Sequence, residues 1–276
     1  MKIKYYGTSA AEGIPALFCD CDTCRYSREK GGRNIRTRSQ ALIDDFLLID
    51  LCPDTLYHVQ RMGLELHKIQ HLLITHAHSD HLIASDLLEK QDGHAHSDNM
   101  MPITIYGSMP TIDKIFSTIH SNTHINSGRW ILQEILPFIP ISIQDYTVVP
   151  YKANHAFELN SYIYDISSKD KRMLYAHDTG FFLEEVWLFL EREKPFFNFV
   201  SLDCTVALSK VCNHHMNIEA CKEVRQKLIS LGCADSSTTF VLHHFSHNCG
   251  ASYDDLYPIA KECGFEISYD GMEIEF

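Results

Sequence analysis

Four side chains able to hold a divalent ion, His76, His78, Asp80 and His81, fall within six residues in the run Thr75-His76-Ala77-His78-Ser79-Asp80-His81. Imidazole and carboxylate are the ordinary donors for Zn, Mn and Fe in water-activating sites. The apolar run Leu72-Leu73-Ile74 ahead of them reads as a buried strand ending at Thr75, and residues 82–90 read as a helix. Donors in a turn between a strand and a helix project from a rigid base into one crevice. Alternating His76 and His78 can face one ion, while adjacent Asp80 and His81 turn toward a second. The competing reading is a surface histidine cluster that binds nothing, and the spacing and placement together make the run far more specific than a lone histidine.

The rest of the chain supplies the sheet that such a turn needs. Short β-rich runs fall at residues 3–6, 41–44, 47–51, 71–75, 103–106, 141–150, 161–166, 172–176, 197–203, 238–242 and 265–269. Helical spacing appears at 55–62, 82–90, 183–193 and 218–231. Two β-sheets packed face to face with helices outside satisfy this order, although periodicity does not separate that arrangement from other α/β folds. Of the 276 residues 45% are hydrophobic, enough for a sizeable core. We read residues 1–276 as a single domain with pseudo-halves of about 1–150 and 151–276. The net charge of −12 argues against a nucleic-acid polymer as the main partner. The N-terminus reads directly as a strand, and no apolar run approaches a bilayer span, so we expect a cytoplasmic protein with no membrane partner.

In that compartment ten cysteines are thiols or metal ligands before they are disulfides. Cys19-Asp20-Cys21-Asp22-Thr23-Cys24 gathers three thiols, which need one more donor for a tetrahedral zinc site. Three reduced thiols on a loop are the alternative. Cys52, Cys204, Cys212, Cys221, Cys233, Cys249 and Cys263 are scattered and read as ordinary small side chains.

The run at 75–81 resembles the signature of the metallo-β-lactamase superfamily, which implies an α/β fold of the αββα sandwich type. The family expects a further His after a strand, an Asp in an Asp-Thr-Gly-like turn, and a last His near the C-terminus. Here Asn154-His155, His177-Asp178-Thr179-Gly180 and His243-His244 stand in those places. By this resemblance His76, His78 and His155 hold one ion, Asp80, His81 and His244 the other, and Asp178 bridges them. His243 competes with His244 for the last place. Asp50, closing the strand Leu47-Leu48-Ile49, matches an acid that orients the ligand loop, or is a turn residue. Gly7-Thr8-Ser9, Gly13-Ile14-Pro15 and the C-x-C-x-x-C run narrow the likeness to the PhnP-like branch, named for an accessory phosphodiesterase of the carbon–phosphorus lyase pathway. In that branch a His three residues beyond the last active-site His completes a structural zinc with the cysteines. His247 has that spacing from His244 and joins Cys19, Cys21 and Cys24 as the expected fourth ligand.

His214-His215-Met216-Asn217 opens a helix, with Asn217 a candidate N-cap. By the same resemblance His215 reaches the active site, where it binds phosphate or protonates the leaving oxygen. A structural role at the helix start is its alternative, and His214 ranks below it. Arg33, Arg36 and Arg38 form a dense basic run that reads as a solvated face rather than a phosphate contact. Gly93-His94-Ala95-His96-Ser97-Asp98-Asn99 nearly copies the metal run but lacks the strand and the final His, and reads as a loop.

The resemblance thus implies two divalent ions, Mn or Zn, one structural Zn, a small phosphorylated substrate and a homodimer. The expected chemistry is attack of a bridging hydroxide on the phosphorus of a small, cyclic phosphodiester, with Asp80 and His215 as the catalytic side chains. A thioesterase or lactonase on the same metals, a tRNA 3′-end nuclease and a PqqB-like accessory protein are the alternatives. The nuclease wants a basic RNA-holding arm that the sequence lacks, and accessory proteins tend to lose ligands that this chain keeps.

Overall fold

A computed structural model describes residues 1–96, 101–121, 128–210 and 212–276. Part of the run 93–99 and of the segment 121–130 therefore lies outside the described residues. The first sheet holds, side by side in chain order, β1 (Lys2–Gly7), β2 (Gln40–Ile43), β3 (Leu47–Ile49), β4 (His71–Leu73), β5 (Ile103–Gly107) and β6 (Trp130–Glu134). The second holds β7 (Ile141–Ile143), β8 (Tyr146–Lys152), β9 (Tyr162–Ser168), β10 (Lys171–Ala176), β11 (Phe199–Asp203), β12 (Thr239–His243) and β13 (Glu266–Ile267). The last strand, β14 (Glu273–Glu275), returns to pair with β1, so each sheet has seven strands. Among the described residues six α-helices accompany them: α1 (Asp22–Lys30), α2 (Thr55–Met62), α3 (Met109–His120), α4 (Glu184–Glu193), α5 (Ile218–Ser230) and α6 (Tyr253–Glu262).

Strand alternation sorts the apolar residues into three layers. Leu47 and Ile49 of β3 pack with Tyr164, Met173, Phe199 and Val241 of the second sheet, whereas Leu48 between them packs with Leu72, Ile105 and Ile115 on the side of α3. Across the molecule Val200, Leu202 and Leu242 face Val186 and Leu190 of α4, Val224 and Leu228 of α5, and Leu256 of α6. The result is helices, sheet, sheet, helices, the αββα sandwich that the sequence led us to expect. Pairing direction then fixes where chemistry can gather. β3 to β6 run parallel, as do β10 to β13, so the C-terminal ends of neighbouring strands share one edge of each sheet.

Several expected elements differ. The run at 141–150 is a hairpin of β7 and β8, turning at Gln144 with φ 51°. The stretch after the ligand run is a 3₁₀ helix from Ala84 to Lys90, not an α-helix from Leu82. Leu82 is drawn into a β-bridge with Leu51, and Ile83 donates to the Leu51 carbonyl, which delays the helical start. The helices α1, α3 and α6 and the strands β6 and β14 were not expected from periodicity.

The strand pair that leads to the second half of the site is fixed by one buried carboxylate. Asp165 on β9 accepts from Arg172 Nε at 2.7 Å and Nη2 at 2.8 Å, and from the Tyr151 hydroxyl at 2.5 Å. Burial pushes its pKa up, and the guanidinium only partly offsets that. Arg172→Ala leaves this charge with one donor and costs about 3 kcal/mol, read from urea unfolding at neutral pH. Because the folded-state pKa then rises further above the unfolded carboxyl value, the folded state takes up its proton first. The deficit therefore narrows as pH falls toward the carboxyl range, and a deficit independent of pH would contradict this account.

Candidate metal centre

The ligand loop leaves the end of β4 and is pinned from both sides. Asp50, just past β3 with a left-handed φ of 67°, accepts from the Thr75 backbone N–H at 2.8 Å and from its hydroxyl at 3.0 Å. The same carboxylate lies 2.7 Å from His81 Nδ1. Asp50 thereby sets both the start of the loop and the ring orientation of His81, so it is more than a turn residue. From α3, Lys114 Nζ donates to the carbonyls of Ala77 at 2.6 Å and Leu82 at 3.2 Å, a brace that no local pattern foretells.

The loop faces the ends of the second sheet. His155 follows β8, Asp178 follows β10 with φ 53°, and His244 follows β12 with φ 64°. Two groups of donors result, one of His76, His78, His155 and Asp178, the other of Asp80, His81, Asp178 and His244, each with donor atoms within 4.8 Å of one another. Asp178 belongs to both. Its Oδ2 lies 3.2 Å from His76 Nε2, 3.1 Å from His81 Nε2, 3.4 Å from His155 Nε2 and 4.0 Å from His244 Nε2. Asp80 Oδ2 lies 3.2 Å from His81 Nε2, and His76 Nε2 lies 2.8 Å from His78 Nδ1.

The donor set fits divalent ions. The buried Nε2 atoms of His81 and His244 and Oδ1 of Asp178 make no hydrogen bond, although an unsatisfied buried polar atom is costly. Burial holds His76 and His155 toward the neutral form, His155 down at about 4, which is the form that ligates. Burial opposes ionisation of Asp178 as well, yet the surrounding imidazoles, His244 first, keep its carboxyl well below the usual range.

One residue the sequence reading missed completes the site. Asp203, buried at the end of β11, lies 3.4 Å from His215 Nδ1 and 3.5 Å from His244 Nδ1, and accepts the Met216 backbone N–H at 2.8 Å. Its one local partner is Thr205, and the histidines that give it a place in the site lie 12 and 41 residues away. Thr205, whose hydroxyl donates to Asp203, sits 2.8 Å from His244 Nδ1. His215 is half-buried with Nδ1 3.2 Å from Asp178 Oδ1. Burial works against its charge, but Asp203 and Asp178 outweigh burial and raise its pKa to about 9. His214 is exposed at the mouth. His243, the competing ligand, is instead fully buried between the sheets, 3.0 Å from Ser39 Oγ and 2.9 Å from Ser268 Oγ, stacked on His177 at 3.9 Å.

The cysteine cluster forms a separate site. Cys19, Cys21, Cys24 and His247 bring four donors within 4.8 Å of one another, with both Cys19 Sγ and Cys21 Sγ 3.5 Å from His247 Nδ1. Burial raises the Cys21 thiol, but hydrogen bonds from the Cys24 backbone, His247 and the neighbouring thiols bring it down to about 6, toward the ligating thiolate. All ten cysteines are free, and Cys52, Cys204, Cys221 and Cys233 are buried small side chains. The basic run is not a solvated face. Arg36 is buried and donates to Thr8 Oγ1 and to the Ser268 carbonyl. Arg38 pairs with Asp54 at 3.1 Å, and Arg33 lies over the Tyr269 ring at 4.0 Å. Aromatic faces and buried acceptors absorb this charge, which the linear pattern does not reveal. His94, in the loop after the 3₁₀ helix, pairs with Glu89 at 2.9 Å.

The loop carrying His214 and His215 rests on Gly180. A Cβ there would stand 2.2 Å from the Asn213 carbonyl oxygen and 2.9 Å from Asn154 Nδ2, and Asn154 is the neighbour of His155. Gly180→Ala must move one of these segments and costs about 1–3 kcal/mol. Denaturant unfolding checks it, and an unchanged midpoint would show that the loop is not seated as described.

Against known proteins, the family described as a beta-lactamase superfamily domain matches residues 46–245. Ribonuclease Z of Staphylococcus epidermidis is 26% identical over 127 residues, 46% of this chain and 37% of that protein, so the match spans well under half of the relative's length. Among solved structures, a diphosphatase of the PhnP family superposes with a TM-score of 0.74 at 18% identity, covering 100% of this chain and 97% of that one. Zn²⁺-bound PqqB from Methylobacterium extorquens gives 0.67 at 16% identity, covering 100% of both chains. The short form of human tRNase Z gives 0.66 at 16%, covering 100% and 99%. At these identities the structures speak for the fold. With the family match spanning well over half of its length, the chain belongs to the beta-lactamase superfamily.

Proposed function

We propose that this protein is a metal-dependent hydrolase of small phosphodiesters, working at a centre of two divalent ions, Mn or Zn, with a third, structural zinc at Cys19, Cys21, Cys24 and His247. The observation that carries the reading is the pair of donor groups joined through Asp178, with buried donor atoms free of hydrogen bonds. His76, His78 and His155 would hold one ion, Asp80, His81 and His244 the other. When bound, two such ions would supply an activated water and positive charge for a phosphoryl group in its transition state. Asp50 and Thr205 hold the Nδ1 sides of His81 and His244, which leaves Nε2 of each aimed inward. His215, kept protonated by Asp203 and Asp178, stands at the wall of the cleft with a proton to give. As the phosphorus–oxygen bond to the leaving group breaks, that proton passes to the leaving oxygen, which departs as an alcohol. The net charge of −12 favours a small anion held by local contacts over an RNA chain.

Metal-stripped protein is expected to be inactive on bis(p-nitrophenyl) phosphate and to regain turnover with Mn or Zn. Asp80→Ala should lower that turnover by at least about a hundredfold, more than the loss of a residue that only orients a ligand. Hydrolysis of thioesters or lactones by the loaded protein, with none of the phosphodiester, would move the reading to carbonyl substrates. The role of His215 makes a separate forecast. Nitrophenolate leaves without a proton, whereas an alkoxide does not. His215→Ala should therefore cost about a hundredfold in kcat on a cyclic nucleotide and much less on bis(p-nitrophenyl) phosphate. Equal losses on both would remove His215 from the proton-donor role.

A further inference from the structure

The cleft beside the two donor groups has a second wall with no part in the chemistry described so far. It encloses about 540 Å³, within the range that accepts a nucleotide-sized molecule, with His78, His155 and His215 on its inner side. The outer wall presents Phe157, Glu158, Asn213 and His214. Phe157 follows the donor His155 by two residues and leaves 56% of its surface exposed, the one aromatic carbon ring in a lining it shares with Ala156 and Val206. Its turn, Phe157–Leu159, is clamped rather than loose. Ser108 Oγ donates to the Leu159 carbonyl at 2.9 Å, and both flanking residues, Ala156 and Asn160, sit in the left-handed region at φ 39° and 48°. Holding two residues with a Cβ there carries a cost, and its effect is to display the ring at the cleft wall. Opposite it, the His214 ring stands edge-on at 6.1 Å and 80°. That ring belongs to the loop seated on Gly180.

We propose that Phe157 is a stacking platform for a planar aromatic ring carried by the substrate, a nucleobase, with His214 bordering that ring and Glu158 and Asn213 meeting its polar edge. A base brings N–H and C=O groups that the exposed Glu158 carboxylate and Asn213 amide can bond, which a bare phenyl or alkyl substituent does not. The platform lies two residues from a donor of the metal centre, so a base stacked there puts the phosphate of the same nucleotide within reach of His155 and His215. The assignment rests on the phosphodiester reading above and narrows its substrate to a nucleotide.

Calorimetric titration of the Mn-loaded protein with nucleoside 5′-monophosphates and with ribose 5-phosphate separates base from sugar phosphate. Base stacking on an aromatic side chain is expected to make the nucleotides bind about tenfold more tightly. Phe157→Ala should abolish that difference, and Phe157→Trp should keep it, which guards against a folding defect. Equal affinity of the two ligands for the unaltered protein, a preference that survives Phe157→Ala, or no binding of either ligand overturns the platform. The two readings fail separately. Nucleotides that bind through Phe157, with no phosphodiester turned over, would leave the platform and remove the phosphodiesterase. Turnover of cyclic nucleotides with no base preference in binding would do the reverse.

Discussion

The site depends on a single desolvated carboxylate. Asp178 is buried, sits at a left-handed φ and has the nitrogens of five histidines within 4.0 Å of its two oxygens. Those histidines come from four places, the loop after β4 and the segments after β8, before α5 and after β12. Removing Asp178 would leave these imidazoles facing one another with no common partner. The neighbouring Thr179 and Gly180 extend the same function into the backbone. Thr179 Oγ1 accepts the Asn154 N–H at 2.9 Å, which ties the His155 segment to the Asp178 turn.

Strand direction explains why so many donors meet at one point. Parallel neighbours end on the same edge, and a residue just past a strand end is rigidly based yet free of ladder hydrogen bonds. Asp178 and His244 occupy such positions, Asp50 sits one bond earlier with its N–H still donated to the Leu73 carbonyl of β4, and all three adopt a positive φ without being glycine. Asn and Asp tolerate that region better than most residues, whereas for His244 the strain needs the grip of Thr205 and Asp203 on its ring. The strained backbone turns each side chain out of its sheet and into the cleft between the two.

The donor cluster that follows β4 was legible in the sequence because it is local. A strand of apolar residues ending in His76-x-His78-x-Asp80-His81 states both the donors and their support, and alternation in Leu47-Leu48-Ile49 states two buried faces. What lay hidden depends on partners far along the chain. Asp203 acts on His244 from 41 positions away, Lys114 reaches Ala77 from 37, and Arg36 is buried against Phe245 and the Ser268 carbonyl. Some omissions had a readable signal. Ser252 and Asp255 form a capping box that announces α6, but Pro258 inside that helix breaks its pattern. Pro110 in the first turn of α3 after Ser108 is a helix start that periodicity alone passes over.

Charge balance links the centre to its proposed occupants. Asp50, Asp80, Asp178 and Asp203 are all buried, and among the described residues none of them forms an ion pair with a lysine or an arginine. Burial drives His76 and His155 toward the uncharged state, while neighbouring carboxylates hold His81 and His215 toward the charged one. Four carboxylates buried together with no lysine or arginine partner among the described residues set up a negative field in a desolvated cleft, and such a field attracts divalent cations. The same field repels a phosphate. Substrate binding and metal loading are therefore coupled, since the anion enters a cleft whose sign the ions must first reverse. The neutral ring of Phe157 lies outside that conflict, and a base docked on it gains the same contacts whatever the charge of the centre.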